Sequence, residues 1–185
     1  YNDYRSLMTA LALEGKSTGK NQNEELAHYT LLNERRMKRL DKTIKVDAGT
    51  EEKIKGFDKK VTWLVLTESW CGDAAQTIPV MNKLAALNDN ISLKLLLRDE
   101  NLELMQRFLS NGAMAIPKLI AIDGDTAKVI GQWGARPSVA AKLVSEEKAN
   151  FGRLRPEFKQ ILQQWYNKDK GQHTIKDLMS MLFLE

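Results

Sequence analysis

Cys71 is the only cysteine in the 185 residues, and it carries the most reactive side chain in the sequence. A lone cysteine forms no intramolecular disulfide. With only two histidines, His28 and His173, beside it, a disulfide framework, a zinc ribbon and a dense zinc site are all excluded. What remains is thiol chemistry. Cys71 stands in Glu68-Ser69-Trp70-Cys71-Gly72-Asp73-Ala74, after an apolar run and before a stretch of helical spacing. A sulfur at a helix N-terminus meets the positive end of the macrodipole and free backbone N–H groups, which favour thiolate and predict a lowered pKa. Capping and solvation account for Glu68 and Asp73, with a role as acid or base for Cys71 as the alternative. His28 and His173 fit no Cys–His pair by motif and read as structural or surface residues. Asp99, Glu100 and Glu103 read as a helix start, so no metal and no cofactor is implied.

The elements that must position Cys71 follow from periodicity. Val61–Thr67 is β-branched and apolar with little alternation, as expected of a central strand buried on both faces. Ile78, Met81, Leu84, Ala85 and Leu87 then recur at helical spacing, and Ile91 to Arg98 reads as a second buried strand. Asn101 to Leu109 reads as a helix stopped by Asn111-Gly112. Lys118–Ile122 and Lys128–Trp133 read as a hairpin turning at Asp123-Gly124-Asp125, followed by a helix over Val139–Val144. A βαβ unit followed by a ββα unit implies a mixed sheet with helices on its faces. Trp63 and Trp133 read as core.

Both ends read as helical. Tyr4, Leu7, Met8 and Leu11 trace one amphipathic stripe, which Gly15 to Gly19 interrupt. Leu26, Tyr29, Thr30, Asn33, Met37 and Leu40 trace another. Pro156 suits the first turn of a helix through Phe158, Ile161, Leu162 and Trp165, and Thr174 reads as the cap of a last helix. The organisation expected is a helical extension over 1–47, a core domain over 48–150 and a second helical extension over 151–185. Periodicity leaves open whether the extensions pack on the core or on a second chain.

Hydrophobic residues make up 43% and charged residues 28% of the chain, which excludes disordered and fibrous classes. No apolar run approaches the roughly 18 residues of a membrane span, so no membrane partner is expected of the visible chain. The net charge of +4 is thin and split between the two ends. The one dense cluster, Arg35, Arg36, Lys38 and Arg39, reads as a solvated helix face, and no nucleic-acid partner is expected. The expected location is cytoplasmic, subject to any targeting segment ahead of Tyr1.

Trp70-Cys71-Gly72-Asp73-Ala74 between a strand and a helix resembles the Trp-Cys-Gly-Pro-Cys site of thioredoxins. Pro79 stands where thioredoxins carry the proline that bends the active-site helix. Ile116-Pro117 matches the Ile-Pro dipeptide whose proline is cis in that family, and Trp133-Gly134-Ala135 matches its Val-Gly-Ala-like glycine. The resemblance covers about residues 55–147 and implies a thioredoxin fold, a mixed four-stranded sheet flanked by helices, with helical extensions at both ends. It implies Cys71 as the catalytic sulfur. Trp70, Gly72, Asp73, Ile116 and Pro117 are the implied binding residues, with Ile116 and Pro117 as a strand-like docking edge.

The departures bear on mechanism. The position of the second thioredoxin cysteine is Ala74, so a mixed disulfide at Cys71 has no internal sulfur to resolve it. Asp73 replaces the motif proline and places a negative charge that opposes a thiolate. Val65 stands where thioredoxins bury the Asp that serves proton transfer. Monothiol glutaredoxins are a poorer match, because Ile130-Gly131-Gln132-Trp133-Gly134 replaces their Gly-Gly patch. The nearest likeness is to an uncharacterised bacterial thioredoxin-like family with Trp-Cys-Gly-Asp-Ala at the site and Leu97–Leu104 downstream. The implied function is a monothiol disulfide oxidoreductase or thiol-exchange protein resolved by an external thiol, with protein thiols or disulfides, or a low-molecular-weight thiol, as partners. The alternative is a non-catalytic protein-binding module or a homodimer.

Overall fold

The computed structural model describes residues 1–183. Strand β1 (Val61–Thr67) pairs in parallel with β2 (Ile91–Leu97) and antiparallel with β3 (Lys118–Asp123), which pairs antiparallel with β4 (Val129–Gly134). The order β2-β1-β3-β4 makes the mixed four-stranded sheet expected from the sequence. Trp63, Val65 and Leu66 of β1 are wholly buried, because β1 is covered on both faces and flanked on both edges. The second strand is different from its expectation: β2 is an edge strand, and only Ile91 in it is buried. Its leucines resemble those of a central strand in type, but they face a half-solvated edge.

Helix α4 (Gly72–Ala85) follows β1 directly and carries Pro79 inside it. Helix α1 (Asn2–Glu14) packs on α2 (Glu24–Thr43), and α2 packs on α4. The stripe read in the sequence is the inward one: Thr30, Asn33, Met37 and Leu40 are buried. Helix α2 therefore buries its stripe within its own chain, whereas α1 buries Tyr4 and Met8 and leaves Leu7 exposed. A short α3 (Ala48–Lys55), unforeseen, starts at Asp47, whose carboxylate accepts the Thr50 N–H at 3.0 Å. Its capping residue was visible, but eight residues with a glycine give too short a period to read.

Helix α5 (Leu102–Arg107) ends before Leu109. Asn111-Gly112 forms a separate tight turn, both residues at positive φ and closed by Ser110–Ala113 backbone bonds, rather than a helix stop. The β3–β4 connection runs on to Lys128, with Asp123 Oδ1 accepting the Thr126 N–H at 2.7 Å and Ala127 at φ 56. Helix α6 (Ser138–Phe151) is longer than expected, and α7 (Pro156–Asp169) opens on Pro156 as read. Helix α8 (Gln172–Phe183) starts two residues ahead of Thr174, which is buried inside it rather than capping it. Helix α8 packs on α4 and β4, so the C-terminal segment also covers its own sheet. No helix among the described residues is long and apolar enough to cross a membrane.

Candidate active site

The chain turns sharply from β1 into α4, and the turn is held by the N-terminal extension. Ser69 N–H donates to Thr18 Oγ1 at 2.8 Å, Thr18 N–H donates to Ser69 Oγ at 2.9 Å, and Asn33 Nδ2 donates to the Ser69 carbonyl at 2.9 Å. Glu68, wholly buried, accepts from Thr18 Oγ1 and from the Asp99 N–H at 2.8 Å. Loop 15–23 and α2 thus fix the two residues ahead of Trp70-Cys71 through buried polar bonds, whose loss would leave orphaned donors costing about 1–3 kcal/mol each. Glu68 is a structural anchor and does not line the cleft of Cys71.

Burial pushes the Glu68 carboxyl above its usual value, against the lowering effect of its bonds to Thr18 and Asp99. A carboxyl raised in the folded state holds its proton more tightly there than in the unfolded chain. It therefore favours folding below the unfolded pKa and loses that contribution as pH rises through the folded pKa. Replacing Glu68 by glutamine keeps one acceptor and removes the charge. Denaturation curves of parent and Glu68→Gln should accordingly show the variant gaining relative stability as pH rises above the ordinary carboxylate range of about 4. A relative loss over that rise would show that the ionised carboxylate is favoured in the fold.

Cys71 is the N-cap of α4: its Sγ accepts the Ala74 N–H at 3.4 Å. The same sulfur donates its proton to the Ile116 carbonyl at 3.3 Å, across a loop whose Ile116–Pro117 peptide is cis. The lowered thiol pKa read from the helix position is overturned. Burial first, and the Asp73 charge second, push the Cys71 thiol up to about 12, and the backbone N–H groups only partly offset this. The cause is tertiary: Cys71 is 8% exposed in the folded chain, with residues of the C-terminal extension lining the same cleft.

A cleft of about 490 Å³ opens above the sulfur. Trp70, Gly72, Asp73 and Ile116 line it with Cys71, whereas Pro117 does not. Helix α2 contributes Leu26, Tyr29 and Arg36, and α7 contributes Phe158, Lys159, Leu162 and Tyr166. The two helices meet across it, with Lys159 Nζ donating to Tyr29 Oη at 3.2 Å and Arg39 Nη2 donating to Asn167 Oδ1 at 3.0 Å. Asp73 is held at the bottom by Arg136 at 2.7 Å and by the Tyr166 hydroxyl, which donates at 2.8 Å. Burial raises the Asp73 carboxyl above its ordinary value and Arg136 pulls it back. Arg98 stacks over the Trp70 ring at 5.1 Å from its centroid, a cation–π contact that fixes the rim.

Several of these residues escaped the sequence reading. Arg36 belongs to the cluster read as a solvated face, yet it turns inward while Arg35, Lys38 and Arg39 stay exposed. Arg36 stands at the margin of the buried Thr30–Asn33–Met37 stripe, where periodicity alone does not separate an inward cation from a solvated one. Arg136 and Tyr166 carried none, since each comes from an element whose placement depends on the whole fold. His28 is exposed, and His173 bonds Asp169 within the C-terminal segment. No group of three or more His, Cys, Asp or Glu among the described residues is placed to hold a metal.

A family model described as Thioredoxin matches residues 19–149, most of the chain. The chain belongs to the thioredoxin family. The match begins inside loop 15–23, so Asn33, which holds the Ser69 carbonyl, lies within the matched region and Thr18 one residue ahead of it. A crystal structure of a protein of unknown function from Pseudomonas aeruginosa is similar to this thioredoxin-family chain with TM-score 0.62 and 19% identity, covering 84% of each chain. An HIV epitope scaffold is similar with TM-score 0.61 and 16% identity, covering 96% of this chain and 98% of the scaffold. At these identities the likeness shows the fold alone. No curated protein matches the sequence.

Proposed function

We propose that this thioredoxin-family protein is a monothiol thiol-exchange protein, in which Cys71 forms a mixed disulfide with a substrate seated in the cleft and an external thiol resolves it. The observation that carries the reading is the position of Cys71, the only cysteine of the chain, at the floor of a roofed cleft and at a helix N-terminus. Ala74, wholly enclosed at the third position after it, offers no second sulfur. Between cycles Cys71 rests as a thiol bonded to Ile116. Asp73 is the only carboxylate among the described residues that line the cleft and is its candidate proton acceptor. A reducing cytoplasm, with abundant small thiols, suits such a cycle.

The second reading, a binding module whose cysteine is inert, is favoured by the raised thiol. One pair of measurements separates them. At pH 8 a thiol of pKa about 12 is roughly one part in ten thousand thiolate. A free cysteine is then about a quarter ionised, and the greater nucleophilicity of the more basic sulfur returns less than about two of the lost powers of ten. Iodoacetamide is therefore expected to alkylate Cys71 at least about tenfold more slowly than free cysteine. Hydroxyethyl disulfide, given hours, is expected to leave one adduct on the folded protein, absent in Cys71→Ser and released by added mercaptoethanol. If the folded protein takes up none while the urea-unfolded chain does, the monothiol reading fails and the binding module stands.

A further inference from the structure

Half-buried arginines in this protein are consistently paired, with one exception. Of the five among the described residues, Arg5, Arg98, Arg136 and Arg155 each contact a carboxylate. Arg36 contacts none: its Nη1 donates to the neutral Asn33 Oδ1 at 2.9 Å and lies 3.5 Å from where a Cβ on Gly72 would stand. A guanidinium drawn out of water without a carboxylate in contact is costly: burial and Arg39 lower its affinity for its proton, and the more distant Asp73 charge offsets this only in part. Arg36 lines the cleft together with Cys71. Two more observations point the same way. Arg136 Nε is buried with no acceptor although its Nη2 holds Asp73, so that N–H of its donor fork is unused. Lys159, on the opposite wall, forms no ion pair among the described residues and donates to the neutral Tyr29 hydroxyl. Four cations line the cleft against one carboxylate, Asp73.

We propose that the cleft selects a small disulfide or thiol bearing carboxylate groups, paired with Arg36 and Lys159 while its sulfur lies against Cys71. This rests on the thiol-exchange reading. The size of the cleft, about 490 Å³, falls in the range of about 300–1,000 Å³ typical of small-molecule sites. The Lys159–Tyr29 and Arg39–Asn167 bonds tie α7 to α2 above it, which obstructs the disulfide loop of a folded protein. Leu26, Phe158 and Leu162 supply the apolar walls that a carbon chain between carboxylate and sulfur would cover.

The chemistry balances without an added oxidant. Cys71 gives up its proton, its sulfur bonds to one sulfur of the bound disulfide RSSR, the S–S bond breaks, and the leaving sulfur takes a proton as RSH. Cys71 is oxidised and one half of the disulfide reduced. A second thiol R′SH then attacks the R sulfur, returns Cys71 to the thiol and leaves RSSR′.

The test compares three disulfides of similar size on the full chain: dithiodipropionate (anionic), hydroxyethyl disulfide (neutral) and cystamine (cationic). Each adduct rate is divided by that of the same protein unfolded in urea, which removes intrinsic reactivity. Dithiodipropionate is expected to lead cystamine by about tenfold or more. The lead should shrink in about 0.5 M salt and in Arg36→Gln. Lys159→Gln, at an exposed position where folding is safe, should shrink it partly. Equal rates, a lead for cystamine, or an unchanged preference in folded Arg36→Gln would overturn the proposal. So would an acidic disulfide-bearing peptide that outpaces dithiodipropionate. If no probe reacts, the thiol-exchange reading fails on its own, and the anion site is then read from Cys71→Ser with octanedioate, which matches dithiodipropionate in length. A rise in melting temperature that needs Arg36 keeps the site, and no rise at millimolar concentration removes it.

Discussion

A cysteine in place of Ala74 is expected to shorten the lifetime of a mixed disulfide at Cys71 by about a thousandfold or more. The Ala74 N–H already lies 3.4 Å from Cys71 Sγ, in the first turn of α4. Side chains three apart on a helix have Cβ atoms about 5–6 Å apart before any adjustment, close enough for modest local movement to bring them within disulfide reach. A second sulfur there attacks at an effective concentration in the millimolar range or above, against micromolar thiols in solution. The adduct that persists on the parent chain should then give way to an internal disulfide, two hydrogens lighter by intact mass. Ala74 is wholly buried, so the added sulfur costs about 1–3 kcal/mol of overpacking, which a denaturation curve measures separately. An adduct as durable as that of the parent, on a folded variant, would show that the vacant thioredoxin position does not control resolution.

What the sequence disclosed and what it withheld divide along a physical line. Cys71 before a helix, Pro79 inside it, Ile116-Pro117 ahead of β3 and Gly134 at the end of β4 each mark a local backbone requirement, and each stands where the motif placed it. The strand β1 was legible because burial on two faces leaves an unbroken apolar run. The protonation of Cys71 was legible only in part: the Asp73 charge that opposes a thiolate stands in the motif, but the burial that raises the thiol most is set by the whole fold. Arg36 was hidden for a related reason: a cation beside three exposed cations has the composition of a solvated face, and only the position of its partner helices turns it inward. Tyr166 reaches Asp73 from the far end of the chain. The helical ends, whose partner surface periodicity left open, fold back on their own core and supply nearly half of the cleft wall.

That wall depends on the β3–β4 junction staying in register, and Gly134 is where the junction is tightest. Gly134 pairs with Lys118 at the start of β3 and has φ 128, a conformation L side chains rarely adopt. A Cβ added there would stand 2.1 Å from the Pro117 carbonyl oxygen and 3.2 Å from Lys118 Cα. Both are backbone atoms of a paired strand, so no rotamer change relieves the contact. Neither can β4 slide away: Trp133 Nε1 donates to Asp177 Oδ2 at 3.3 Å, and the same carboxylate accepts the Ser138 N–H at 2.6 Å, tying the strand end and α6 to α8. Gly134→Ala therefore combines about 1–3 kcal/mol of backbone strain with about 1–3 kcal/mol of overpacking. The expected loss of about 3–5 kcal/mol lowers the melting temperature of a chain this size by about 10 °C or more. The displaced Pro117 carbonyl also shifts Ile116, whose carbonyl receives the Cys71 proton, so alkylation of Cys71 should quicken in any folded fraction. A Gly134→Ala protein melting within about 2 °C of the parent, with unchanged alkylation, would show that β3 yields at this point and that the thiol is held by burial alone.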